Sequence, residues 1–440
     1  MSDSLTRRQV LRSASLAALA SMFGSSLGAG EWLRTISSSR VLVVLEFEGG
    51  NDGLNTVVPY DDANYLTARS VAGIRLTPGN TTVQRAVIPF STFSGSTTLP
   101  KPSGFGVNAG LTRLQDAWQA GDMAIIHGVG YGNPNLSHFR GIDIWNNGAT
   151  DDQPAIGTGW LGRMMVNEGV SGSASTNAML FARANQNPVR SPGLKIISLA
   201  KPKDFLDRTV GMTDPTDLQI ANATSGSGAN PALAHLLNTQ RDAKRARSEI
   251  AAHVGTPPTF TTVFPNNDLG TQALYIAQCI AGGLECPFYK MSIGGFDNHT
   301  NQVGKHYDLL TQVGAAIAAL RSALSESAYN RWDDVLVMTN SEFGRRVNEN
   351  ASFGTDHGTA APHFVFGGKV KGGIYGTQPS LAHADLDPRG DLVYQTDFRQ
   401  LAATAGLWLG ASAPNVAQAL DPFHMPPTTL FTPVDCVTLV

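Results

Sequence analysis

The chain has 440 residues, 42% hydrophobic and 15% charged, with a formal net charge of -3. That balance folds rather than staying disordered, and the length suffices for one large domain or two ordinary ones. No basic block lies beyond the N-terminus, so nucleic acid is excluded as a partner, because phosphate binding needs a concentrated positive face.

The N-terminus places Thr6-Arg7-Arg8-Gln9-Val10-Leu11-Arg12 before a weakly apolar run from Ala14 to Leu27 and then small residues. Residues 1–30 thus resemble a twin-arginine signal peptide, with cleavage expected near Gly28 to Gly30. The resemblance implies export of a folded protein to the periplasm or the extracellular space. The apolar run is short for a bilayer and no later run is longer, so no integral membrane span is expected once the signal is removed. The three cysteines, Cys279, Cys286 and Cys436, form no CxxC pair, which argues against a thiolate metal site. Cys279 and Cys286 read as separate buried thiols, although an oxidising compartment would allow them to pair.

The first core strand is expected over 40–47 (RVLVVLEF), a continuous run that suits burial on both faces of a parallel sheet. It ends in EGGNDGLNTVVP. The helical pattern GLTRLQDAWQAG precedes a second strand over 123–130 (MAIIHGVG), which empties into YGNPNLSHFRGIDIWNNG. A third strand is expected over 193–200. Residues 213–270 are polar and read as an insertion or cap with one charged, exposed helix. Beyond them come the helix GTQALYIAQCIAGG, the strand FYKMSIGG, the long helix VGKHYDLLTQVGAAIAALRSALSE and the strand WDDVLVMTN. A strand and turn in APHFVFGGKVKGGIYG and the helix TDFRQLAATAGLWLG follow. This alternation predicts an α/β fold over 40–440, a single domain with a mainly parallel central sheet flanked by helices.

Ligands of open α/β sheets bind outside the carboxyl ends of the strands. Here those ends deliver Asp52 in GGNDGLN, Ser137 and His138 in NLSHF, Asp297 and His299 in FDNHT, and Glu342 in SEF, and the loop that follows Glu342 adds Asp356 and His357 in TDHGT. Carboxylates packed together repel, and a divalent cation relieves them. Mixed His and carboxylate ligands suit zinc, manganese or iron, and all-oxygen sets suit calcium or magnesium. Each residue also has an ordinary role: Ser137 as a helix cap, Asp52 as a turn former, Glu342 as a partner of Arg345 or Arg346, Asp356-His357 as turn and cap. Asn51 and Asn55 suit either the turn or a substrate. His363 reads as packing, His127 as ambiguous, and Trp145 and Trp160 as core or lid.

The order of these motifs is similar to the alkaline phosphatase superfamily. EGGNDGLNTVVPY, SHFRGIDIW, GGFDNHTNQ, SEFGRR and TDHGTAAP resemble, more closely, its sulfatase-related family of twin-arginine-exported bacterial proteins of unknown function, over about 40–410. The resemblance implies an alkaline phosphatase-like or sulfatase-like fold. It also implies a divalent metal (zinc, manganese or calcium) held by Asp52, Asp297, His299, Glu342, Asp356 and His357. Ser137 takes the place of the nucleophile and His138 suits a general acid, with Asn51, Asn55 and Arg345 (or Arg346) facing the substrate. Two departures stand out: the pair is Asp-x-His, and Phe343 occupies the place of a nitrogen ligand. The expected activity is hydrolysis of a phosphate or sulfate ester, on a small anionic molecule or a sulfated or phosphorylated polymer, with a co-encoded protein as a further candidate partner. The rival reading is a non-catalytic exported protein that keeps the fold, with a degenerate metal site, for binding or assembly. An oxidoreductase is disfavoured, since GGNDG is too short for a dinucleotide fingerprint.

Overall fold

The computed structural model describes residues 39–439, except 151–155, 171–175, 182–187, 210, 212–213, 226–228, 426 and 428. The export-signal reading of 1–30 therefore falls outside the described residues. The strands are β1 (Val41–Glu48), β2 (Val57–Val58), β3 (Thr77–Pro78), β4 (Ala86–Pro89), β5 (Gly106–Asn108), β6 (Met123–Gly130), β7 (Ala178–Leu180), β8 (Ile196–Ser198), β9 (Phe288–Gly294), β10 (Val335–Asn340), β11 (Ala361–Phe366), β12 (Gly373–Tyr375) and β13 (Thr396–Asp397). They form a nine-stranded sheet in the order β12-β6-β11-β10-β1-β9-β7-β8, with β13 also on β6, and a small sheet in the order β2-β5-β4-β3.

β1 sits at the centre, parallel to β9 and β10. Its side chains alternate between two cores, as the period of a strand requires. Val41, Val43, Leu45 and Phe47 meet Ile276 and Ile280 of the helix Asp268–Ala281 and Leu310, Ile317 and Leu320 of the helix Gln302–Ser325. Leu42 and Val44 face Ile144 and Trp145 of the helix His138–Asn147, and Leu401 and Ala405 of the helix Phe398–Trp408. A covered sheet of this kind explains the unbroken apolar run in β1. The second face also buries an ion pair, Lys290 Nζ to Glu46 at 2.9 Å, both residues almost wholly excluded from solvent.

Three details depart from the sequence reading. β11 runs antiparallel to both β10 and β6, so the chain leaves β10 and re-enters β11 at the same edge. The strand expected over 193–200 shortens to β8. Within 213–270 the structure has the helices Asp217–Thr224 and Pro231–Val254. Ile250 and Val254 at the end of the second helix join the main core beside the helix Asp268–Ala281, while most of that helix stays exposed or half-buried. Among the described residues no helix is long and apolar enough to cross a membrane.

Candidate metal centre

Because β6, β9, β10 and β1 share one direction and β11 enters from the same edge, four loops meet there. The excursion between β10 and β11 folds back on itself. Arg345 and His357 form an antiparallel bridge, and Gly344 N–H donates to Thr359 O at 2.9 Å. The bridge brings His357 beside the loop after β9, which carries Asp297 and His299.

Three imidazoles converge on the Asp297 carboxylate. His299 Nε2 lies 2.8 Å and His357 Nε2 3.2 Å from Oδ1, and His138 Nε2 lies 3.6 Å from Oδ2. His299 Nε2 and His357 Nε2 are 3.2 Å apart. Each ring is held from behind through Nδ1: His138 by Glu342 Oε1 at 2.9 Å, His299 by Asp356 Oδ1 at 3.3 Å, His357 by Leu136 O at 3.0 Å. Acceptors at Nδ1 put the proton there and leave an Nε2 lone pair facing inward. Three inward lone pairs and a carboxylate repel one another unless a cation stands between them. One ligand atom each from His138, Asp297 and His357 already lies within 4.8 Å of the others, and His299 touches two of the three, Asp297 and His357. The donor set therefore fits a single metal ion.

The surrounding charges set the protonation. Burial pushes the Asp297 carboxyl up, but the effects led by the Arg345 hydrogen bond outweigh it and hold the group down to about 2. The Glu342 hydrogen bond raises His138 above its ordinary value. Burial and then Arg345 lower His357. Asp356 is lowered, chiefly by its bond from Asn350.

The remaining expected residues are placed as follows. Glu342 and Asp356, expected as ligands, stand one layer out, behind His138 and His299; Glu342 Oε1 also accepts Gly49 N–H at 2.7 Å. Asp52 is buried and pairs with Arg69, with Nη1 to Oδ2 at 2.6 Å and Nη2 to Oδ1 at 2.9 Å, while Gln302 Nε2 donates to Oδ2. Both Asp52 oxygens are thus taken. Asn51 Oδ1 accepts from Thr56 Oγ1 and lies 2.9 Å from His306 Nε2, and Asn55 bonds Tyr65 and Ile74 O. Both asparagines hold the turn and do not face the cleft. Arg345 is buried and donates to Gly49 O, Gly50 O, Thr355 O and Asp297, so it orients Asp297 and leaves no fork for a substrate. Ser137 is the exposed N-cap residue of the helix His138–Asn147, yet its side chain makes no capping hydrogen bond. Its neighbour Leu136 has a left-handed backbone, φ 59°. Phe343 is buried against the rings of His138 and His357, at 5.0 and 4.5 Å. His363 bonds Thr339, and its burial pushes it down to about 3; His127 is likewise pushed down, to about 4. All three cysteines are free and buried.

Arg69, Gln302 and Asn350 also hold the site's acids and lie outside the expected set. Gln302 follows directly on FDNHTN and is legible beside that motif. Arg69 lies 17 residues beyond Asp52 with no pattern linking the two.

A family model described as "Protein of unknown function (DUF1501)" matches residues 155–412, and the chain belongs to this family. The matched span contains Asp297, His299, Glu342, Arg345, Asp356 and His357; Asp52, Ser137 and His138 precede it. No curated protein matches the chain. One similar solved structure is a protein in the alkaline phosphatase superfamily from Vibrio parahaemolyticus, 11% identical, covering 90% of this chain and 74% of that one, with a TM-score of 0.36. Another is the phosphonate monoester hydrolase of Agrobacterium radiobacter, 10% identical, covering 85% and 74%, TM-score 0.34. A third is the phosphonate monoester hydrolase of Silicibacter pomeroyi, 13% identical, covering 69% of each chain, TM-score 0.30.

Proposed function

We propose that this DUF1501 protein is an exported, metal-dependent hydrolase of phosphate or sulfate esters, working in the periplasm or outside the cell. The observation that carries the reading is the convergence of His138, His299 and His357 Nε2 on Asp297, each ring held from behind. A set so rich in nitrogen suits zinc better than manganese or calcium. A metal bound there supplies Lewis acidity, polarising an ester oxygen and lowering the pKa of a nearby hydroxyl.

The chain's own residues divide the remaining work. Ser137 presents its hydroxyl at the start of a ten-residue helix, tied to His357 through Leu136 O, and is assigned the nucleophile. The N-terminal N–H groups of that helix favour an anionic oxygen. Arg345 keeps Asp297 ionised and in place. His138, first read as a general acid, is assigned to the metal, because its free nitrogen faces the shared space. Asp297, Asp356 and His299 are each about half exposed, so the centre opens broadly enough for an ester on a phosphorylated or sulfated polymer as well as for a small one. One feature favours a second reading, a binding or assembly protein: by the family resemblance, Phe343 occupies the place of a nitrogen ligand.

The test is elemental analysis and ester hydrolysis on the exported protein, beside Asp297→Ala/His357→Ala and Ser137→Ala. Stoichiometric metal lost in the double variant, with turnover falling at least about a thousandfold in Ser137→Ala, is the expected result. Folded protein with neither metal nor turnover transfers the assignment to the binding role.

A further inference from the structure

Asp52 is the strand-end acid that stands outside the convergent cluster, and its surroundings account for that. Both oxygens are engaged, in a bidentate pair with a fully buried guanidinium. Arg69 is itself anchored: Nε donates to Val347 O at 3.1 Å, Nη2 to Arg346 O at 3.2 Å, and the guanidinium stacks over Tyr65 at 5.5 Å. Gln302 completes the enclosure, its amide donating to Asp52 and its carbonyl accepting from Thr355 Oγ1 at 2.7 Å. The buried imidazole of His306, which acts electrostatically on Asp52, is committed to Asn51. No second convergent donor set exists around Asp52 among the described residues.

We infer that the centre takes one divalent ion and that Arg69 closes Asp52 to metal by standing as a fixed cation against it. The inference rests on the metal-centred reading above and deepens it. Charge supports it independently of geometry. Asp52, Asp297, Glu342 and Asp356 bring four negative charges, and the buried Arg69 and Arg345 return two positive ones. Imidazoles with protonated Nδ1 and free Nε2 add none. Two negative charges remain, which one divalent ion balances. A second ion would leave uncompensated positive charge in a partly buried site, an arrangement that proteins avoid. The Asp52–Arg69 pair then acts as a positioning strut: it joins the loop after β1 to the backbone at 346–347, next to the arginine that holds Asp297.

The experiment is calorimetric titration of the full, metal-stripped chain with Zn²⁺ and with Mn²⁺, with elemental analysis of the loaded protein. Wild type is expected to bind one ion per chain. The double variant Asp52→Asn/Arg69→Gln removes both charges and keeps the polar shape. It is expected to bind one ion with an affinity within about threefold, whereas Asp297→Asn loses about a hundredfold. Loading with Co²⁺ adds a readout that needs no variant: the visible absorption saturates at the first equivalent. Two ions per wild-type chain, a visible band that keeps growing to a second equivalent, or loss of the ion in the double variant overturns the inference. Because the readout is metal and not turnover, the outcomes separate from the hydrolase reading. One ion retained without ester hydrolysis supports the inference and sinks only the hydrolase; no ion at all sinks both.

Discussion

A backbone carbonyl can only accept, so the 3.0 Å contact between His357 Nδ1 and Leu136 O fixes the ring proton and turns Nε2 inward. The carboxylates of Glu342 and Asp356 do the same for His138 and His299. Replacing Glu342 by Gln keeps the shape and removes the charge behind His138. Metal affinity is expected to fall by about ten- to a hundredfold with the fold intact, read by calorimetry against circular dichroism; an unchanged affinity would remove Glu342 from the centre. Phe343 has the complementary role of an apolar wall. Its ring crowds Gly50, whose φ of +82° already favours glycine and where an added Cβ would come within 2.6 Å of the phenyl ring. Phe343→Ala is expected to cost about 3–5 kcal/mol in urea unfolding and to weaken metal binding by loosening two rings at once. A loss of affinity without a loss of stability would mean that the ring steers ligands and does not hold the core. The residue types of the centre were legible in the sequence because strand ends bring acids and histidines to one edge. Their division into an inner set and an outer layer was not. That division depends on Arg69 and Arg345, whose charges act across the fold and leave no local pattern.

At the level of elements, the loops around the centre carry most of the backbone strain. Asn133, Leu136, Asn301 and Phe353 lie in loops that flank the histidines and have left-handed φ, with Asn330 the other such non-glycine residue among those described. Asparagine tolerates this region, whereas a leucine or phenylalanine there costs about 1–2 kcal/mol. Phe353 is half exposed, so little packing offsets the strain, and Gly354 beside it lies against the backbone of His299. Phe353→Asn is therefore expected to raise stability by about 1 kcal/mol, seen as a higher thermal midpoint; a lower midpoint would show that the phenyl ring is packed more firmly than its exposure implies. Elements are legible in the sequence where runs are long: β1, β6, β9 and β10 announce themselves by six to eight consecutive buried residues. β7, β12 and β13 have two or three residues each, too few for any periodicity. The reversed direction of β11 was invisible because hydrophobic pattern carries no sign of strand direction.

On the scale of the whole molecule, two buried ion pairs brace the fold, Glu46–Lys290 between β1 and β9 and Asp52–Arg69 between the loops at the site's edge, and they respond to pH in opposite ways. Burial raises the Asp52 carboxyl, yet Arg69 outweighs it and the group ends below its ordinary value. Its contribution is complete above the unfolded value of about 3.9 and is lost as pH falls from there toward the folded value. Asp52→Asn/Arg69→Gln should accordingly flatten the acid side of the stability profile. Glu46 is the reverse case: burial is the largest influence and leaves its carboxyl above the ordinary value despite Lys290. The ionised form is tolerated only because Lys290 Nζ lies 2.9 Å away. Lys290→Met strands a buried carboxylate between β1 and β9, an expected cost of about 3–5 kcal/mol at neutral pH. A carboxyl with a raised folded value binds its proton more readily when folded than when unfolded, so acidification should relieve that deficit, and the gap to wild type should narrow from pH 7 to pH 5. Glu46→Gln/Lys290→Met removes the charge itself and is expected to lie within about 1–2 kcal/mol of wild type at both pH values. Urea unfolding of the three proteins at the two pH values checks this. If Lys290→Met is as stable as the double variant at pH 7, Glu46 carries no burial penalty once Lys290 is gone, and the pair does not brace β1 against β9.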